Sequence, residues 1–410
     1  MATATPSHGI RSRAAALGTR CSLVSVVDVP HLLATVTPPV SGCFEEEADE
    51  VLVRWHSLLA SENLAGKVAA QTVFLRDPTD LPACQRLMRE FYGGYHPATT
   101  YLPQPPCCGA SIVLEALVLA DDRHAFVEHC DEHLTILNYR THALVYESHM
   151  TPGGANGRVY PRSRRVLARL RDLLGSHQVG LHQVMRTWFY LGDIVGPDGD
   201  TQRYLELNRA RADCYESVHF GEGYTPPDLH GPMYPASTGI GTGGDELVVS
   251  CLALQASPEV VSLVPLENPN QTPAFAYGRH YSPKSPKFCR ALAAATDESV
   301  TIFVSGTASI TNSETRWVGD VGRQTEQTLD NIAALVGHDN LARHGLAGAG
   351  VELKDLAGVR VYVKRRENYS LVRSVCESRL GSMPAVYVVA DVCRPDLLVE
   401  IEALAASPRK

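Results

Sequence analysis

Two carboxylates, Glu400 and Glu402, stand two residues apart in "PDLLVEIEAL" (395–404), a run of leucine and β-branched residues that predicts a buried strand. A charge removed from water costs several kcal/mol unless it is paired or neutralised. A carboxyl on a buried strand face therefore tends to keep its proton, and a neutral carboxylic acid at neutral pH can serve as a general acid. Strand alternation puts both side chains on one face. Cys393, seven residues before Glu400, reads on its own as a small buried hydrophobe. The plain alternatives are a rim carboxylate for Glu400 and a partner or solvated residue for Glu402.

The elements that must position these residues emerge from internal repetition. "RSRRVLARLRDLLGSHQVGLHQVMRTWFYLGDI" (162–194) gives a helix with apolar residues at three- and four-residue spacing, then a strand. "QTEQTLDNIAALVG" (324–337) and "LKDLAGVRVYVKRR" (353–366) give the same pair. Second helices follow in "RYLELNRARADCYES" and "RRENYSLVRSVCESRL", and after each comes Pro-Ala and a strand. Aligned at their ends, "DELVVSCLAL" lies over "PDLLVEIEAL", with Ser250 opposite Glu400 and Leu252 opposite Glu402. A structural requirement would act on both copies, so the carboxylates belong to something only the later copy does. Two α+β units result, at about 50–260 and 270–410, with "PLENPNQTP" (265–273) between them. The stretch 281–310 reads as a Pro-rich entry, a short helix and a strand.

Composition narrows the classes. The 410 residues are 44% hydrophobic and 20% charged, with net charge -8. No basic block suggests nucleic acid, and no apolar run approaches the roughly 20 residues of a membrane span. Eleven cysteines without a CxxC pair fit a reducing compartment, hence the cytoplasm, and mostly structural thiols. In "HAFVEHCDEH" (124–133), His129 and His133 fall one helical turn apart, but a solvated helix face outweighs a metal site. No metal and no cofactor is expected.

The later unit resembles the reactive-intermediate deaminase (Rid) superfamily, through "IFVSGTAS", "GDVGRQTEQTLDNIAALV", "VRVYV" and "PDLLVEIEAL" in family order. The resemblance implies a chorismate-mutase-like α+β fold, with a mixed sheet and helices on one face. Domains are then expected at 1–50 (a partly disordered extension), 51–265 (a degenerate Rid-like unit) and 270–410 (the catalytic unit). Over roughly 155–405 the chain is similar to a narrower group, the chorismatases, through "TWFYLGDI", "RYLELNRARADCYES", "PASTGIG", "YGRHYSPKSPKFCRA" and "FVSGTASI". Chorismatases remove the enolpyruvyl group of chorismate as pyruvate.

By this resemblance Glu400 protonates the enolpyruvyl methylene carbon. Gly306 and Cys393 stand at the positions that separate the 3-hydroxybenzoate-forming group from the hydrolytic one, where alanines are expected. A substrate with two carboxylates needs cationic and hydroxyl donors. The candidates are Arg290, Tyr277 and Tyr281, then Arg203, Arg209, Ser237 and Thr238 from the earlier unit. Ser237 and Ala385 occupy the place where single-unit deaminases hold a carboxylate-binding arginine, which speaks against an ordinary imine deaminase. The remaining alternatives are a hydrolytic chorismatase and a non-catalytic small-molecule binder. The expected partner is the substrate alone, in a monomer or homotrimer.

Overall fold

The computed structural model describes residues 11–16, 18–154, 157–227, 231–278 and 281–409. Three six-stranded sheets dominate it, and all three have one strand order: first, second, third, sixth, fourth, fifth. In each, the fourth and fifth strands run parallel and the other neighbours antiparallel. The first sheet runs from Arg11–Ala16 to Ile112–Leu119, the second from Ala125–His129 to Leu247–Ala256, and the third from Ser262–Leu266 to Val399–Pro408. One helix follows each third strand and another each fourth: Phe44–Ser61 and Leu81–Tyr92, Val159–Ser176 and Arg203–Tyr215, Val321–Val336 and Tyr369–Leu380.

The expected α+β class and tandem Rid-like units are present, but the sequence boundaries do not follow the sheets. Residues 19–36, assigned to a terminal extension, form two paired strands, while residues 1–10 lie outside the described residues. The stretch 51–265 holds the rest of the first sheet together with all of the second, and the third begins at Ser262 rather than after "PLENPNQTP". The chain thus has three units where two were expected.

Local chemistry explains most elements. Val321–Val336 opens on Asp320, whose carboxylate accepts the Arg323 N–H at 3.0 Å, and it buries Leu329, Ile332, Leu335 and Val336. Tyr369–Leu380 stops at Gly381, whose φ of 71° suits glycine. Two local readings are overturned. The alanine-rich run 291–295 is a fully buried strand paired with Ser299–Ala308, because sheet partners on both sides outweigh alanine's helix preference. His129 ends a strand and His133 sits in the turn beyond it, so they share no helix face.

The units pack together through their sheets. Val26 and Leu33 of the first, Leu252 of the second and Phe303 of the third belong to one buried cluster. Hydrogen bonds stitch the seams: Val27 N–H to Thr301 Oγ1 at 2.8 Å, and Ser237 N–H to Ser305 Oγ at 2.8 Å.

Candidate active site

A cleft opens where the second and third units meet. The helix Arg203–Tyr215 lends it Tyr204, Asn208 and Arg211, residues on one face by their spacing. The strand Ala236–Thr242 contributes Ser237, and Ser299–Ala308 contributes Gly306. The turn before the last strand brings Cys393 and Arg394, and the last strand itself brings Glu400.

Glu400 is 4% exposed. Burial, reinforced by the neighbouring Glu402 carboxylate, raises its pKa to about 8 against the pull of Arg186 and Arg290. The carboxyl is therefore mostly protonated at neutral pH and faces the cleft as an acid. Gly306 makes room for it: a Cβ there would overlap Glu400 Oε1 and lie 3.2 Å from Thr238 Cγ2. Burial and the Glu400 charge push the Cys393 thiol up to about 12, which keeps it a thiol and not a nucleophile.

Three arginines line the same cleft as this acid. Arg290 donates to Tyr277 Oη at 2.6 Å and to the Thr272 carbonyl at 2.9 Å, and its buried Nε has no partner among the described residues. Arg211, 2% exposed, donates to Asn208 Oδ1 at 2.6 Å and Ser237 Oγ at 3.2 Å, and its Nε is likewise unpartnered. The Arg394 guanidinium lies 4.7 Å from the Tyr281 ring centre and 5.4 Å from that of Tyr277. Guanidinium groups sharing a cleft with a neutral carboxylic acid suit a polyanionic substrate that must receive a proton.

Of the residues read from sequence, Glu400, Gly306, Cys393, Arg290, Tyr277, Tyr281 and Ser237 line the cleft. Three do not. Arg203 turns back to the Gly192 carbonyl at 2.8 Å and to Asp245. Arg209 is on the outer helix face, 2.8 Å from Glu206 and stacked on Tyr160. Thr238 is wholly buried behind the cleft, accepting the Gly306 N–H at 3.1 Å. Arg211 and Arg394 take the place of the two misplaced arginines. For Arg211 the available signal was helical spacing, since it shares the face of Tyr204 and Asn208.

Glu402 has a different setting. Its carboxylate accepts from Arg186 Nη2 at 2.9 Å, Trp188 Nε1 at 2.9 Å and the Thr238 hydroxyl, and pairs with Arg360 at 3.4 Å. Arg360 also binds Glu115 Oε2 and donates to Thr72 Oγ1 at 2.9 Å. Glu402 is therefore the hub of a buried network spanning all three units. Glu115 in the first sheet and Ser250 in the second hold the register position of Glu402, opposite Thr72, Trp188 and Arg360 respectively, so the end-to-end match of Ser250 with Glu400 read from sequence is two residues out, and Val113 and Val248 stand where Glu400 does. Glu400 is thus the one carboxyl among these three matching positions, and it opens on a cleft.

Two family models match these features. Residues 284–407 match "Endoribonuclease L-PSP", the Rid-like class that the third sheet represents. Residues 140–253 match "Chorismatase FkbO/Hyg5-like, N-terminal". The chain is 35% identical over 254 residues to a 3-hydroxybenzoate synthase of Streptomyces hygroscopicus, covering 60% of this chain and 70% of that one. It is 36% identical over 254 residues to a chorismatase of Streptomyces rapamycinicus, covering 61% of this chain and 71% of the relative. A chorismatase crystal structure superposes with a TM-score of 0.64 at 26% identity, covering 83% of this chain and 93% of the other. The chain belongs to the chorismatase family of enzymes.

Proposed function

We propose that this protein converts chorismate to 3-hydroxybenzoate and pyruvate, with Glu400 as the acid. The neutral Glu400 carboxyl in one cleft with three arginines carries this reading. Arg290, Arg211 and Arg394 hold the two substrate carboxylates. Glu400 protonates the enolpyruvyl methylene carbon, giving an oxocarbenium-like centre. The neighbouring ring hydroxyl attacks the ring carbon that bears the side chain, and the breaking C–O bond leaves its electron pair on oxygen as pyruvate. The epoxide-like ring then opens to the phenol, and the hydroxyl proton restores Glu400. No water is consumed overall, since chorismate has the atoms of the two products.

The product assignment rests on Gly306 and Cys393 and on the relative named 3-hydroxybenzoate synthase. The hydrolytic reading, with water as attacker and a diene product, is favoured by the relatives named only chorismatase. Three units in one chain favour a monomer over a homotrimer. Incubation with chorismate separates the readings by product spectrum. An aromatic phenol with one equivalent of pyruvate is expected, a diene would replace the product assignment, and ammonia release from an imino acid without pyruvate would replace the activity.

A further inference from the structure

The repeat builds a second, smaller cleft between the first and second units. The helix Leu81–Tyr92 and the strand Ala98–Leu102 stand there where Arg203–Tyr215 and Ala236–Thr242 stand in the active cleft, and His142–Met150 stands where Ser299–Ala308 does. Gln85, Met88 and Tyr92 line it at the helical spacing of Asn208, Arg211 and Tyr215. Even the seam is similar: Thr100, like Thr238, hydrogen-bonds across it, to Ser250 Oγ at 2.9 Å.

The chemistry has been rewritten. Val248 stands where the acid Glu400 does and Ser250 where Glu402 does, and the Ser250 Oγ also accepts the His149 backbone N–H at 3.0 Å. Met88 replaces the buried arginine. In exchange, His133 and His149 lie with rings 11° from parallel and centres 6.4 Å apart, and Tyr101 sits edge-on to His149 at 5.9 Å. The Tyr101 N–H donates to His149 Nδ1 at 3.3 Å, which fixes the tautomer and leaves Nε2–H as a donor. His133 Nδ1 is buried with no partner among the described residues, while its Nε2 is 3.8 Å from Glu132. His149 holds a left-handed backbone, φ 59°, which non-glycine residues adopt rarely and most often where surroundings impose it. Burial, with His133 adding to it, lowers the His149 pKa to about 4, so its ring is neutral at physiological pH. Arg89, exposed on the last helical turn, supplies a cation at the cleft.

We propose that this second cleft is a non-catalytic binding site for a small aromatic carboxylate. The ring packs against Met88, Tyr101 and the paired imidazoles, and the carboxylate meets Arg89 and the His149 Nε2–H. The proposal does not depend on the reaction assigned to Glu400. Benzoate titrated calorimetrically into the full chain tests it, with Arg290→Ala removing an arginine of the active cleft. The Arg290→Ala variant is expected to bind one benzoate per chain. Adding Arg89→Ala, or His149→Asn, which retains the left-handed backbone, should weaken that binding about tenfold or more. In the wild type, Arg89→Ala should abolish or weaken one binding event, and a thermal melt of each variant reads its folding. Absence of benzoate binding in folded Arg290→Ala, or binding that neither further substitution changes, overturns the proposal. A missing pyruvate release from chorismate would instead count against the assigned reaction and leave this site untouched.

Discussion

Replacing Glu400 by glutamine should stabilise the protein, and increasingly so as the pH rises. Folding lifts this carboxyl from the ordinary 4.5 to about 8 by burying it beside Glu402. The folded state thus holds a proton that the unfolded chain releases above pH 4.5. Stability is lost as pH rises from there through about 8, and beyond that the loss levels off. The shift spans about 3.5 pH units, each worth about 1.4 kcal/mol, so the full effect is on the order of 5 kcal/mol. Glutamine keeps the shape and cannot ionise. Urea unfolding of wild type and Glu400→Gln between pH 5 and 9 reads the difference, which should be small at pH 5 and grow to a plateau near pH 8–9. A difference that stays constant across this range would mean that Glu400 does not titrate with a raised pKa, and the acid assignment would lose its physical basis.

Two further substitutions probe the same neighbourhood. Gly306→Ala puts a methyl where Glu400 Oε1 lies, so pyruvate release should fall roughly tenfold to a hundredfold. The remaining turnover should yield a larger diene fraction, read by ultraviolet spectrum; unchanged rate and product would show that the acid has slack. Glu402→Leu, which removes the carboxylate at similar side-chain size, leaves Arg186 without its partner. It should cost about 3–5 kcal/mol in chemical denaturation, whereas a change below about 1 kcal/mol would demote the network to a passive role.

Legibility in the sequence followed the reach of local signals. The third unit could be read because Asp320 caps a helix with regular apolar spacing, and because Gly381 ends the next one. The first unit escaped because its strands share order, not residues, with the others, and order becomes visible only once the sheets form. The Ala291–Ala295 strand was hidden by alanine's helix preference. Glu400 was legible as a charge where none belongs, but its match with Ser250 was two residues out, because register is set by strand pairing. Glu402 was not, since its partner Arg186 is 216 residues away and belongs to another unit. Arg203 and Arg209 were chosen for their charge, but which face of a helix meets a cleft is decided by packing, and that face carries Arg211.

Pyruvate release from chorismate by wild type and by Glu400→Gln, measured across pH 6 to 9, tests the central claim most directly. Wild type should release pyruvate, with activity falling as pH rises through about 8 and the acid loses its proton. The folded glutamine variant should lose activity by about a hundredfold or more. Full activity in Glu400→Gln, or no pyruvate from wild type at any pH, would contradict the account.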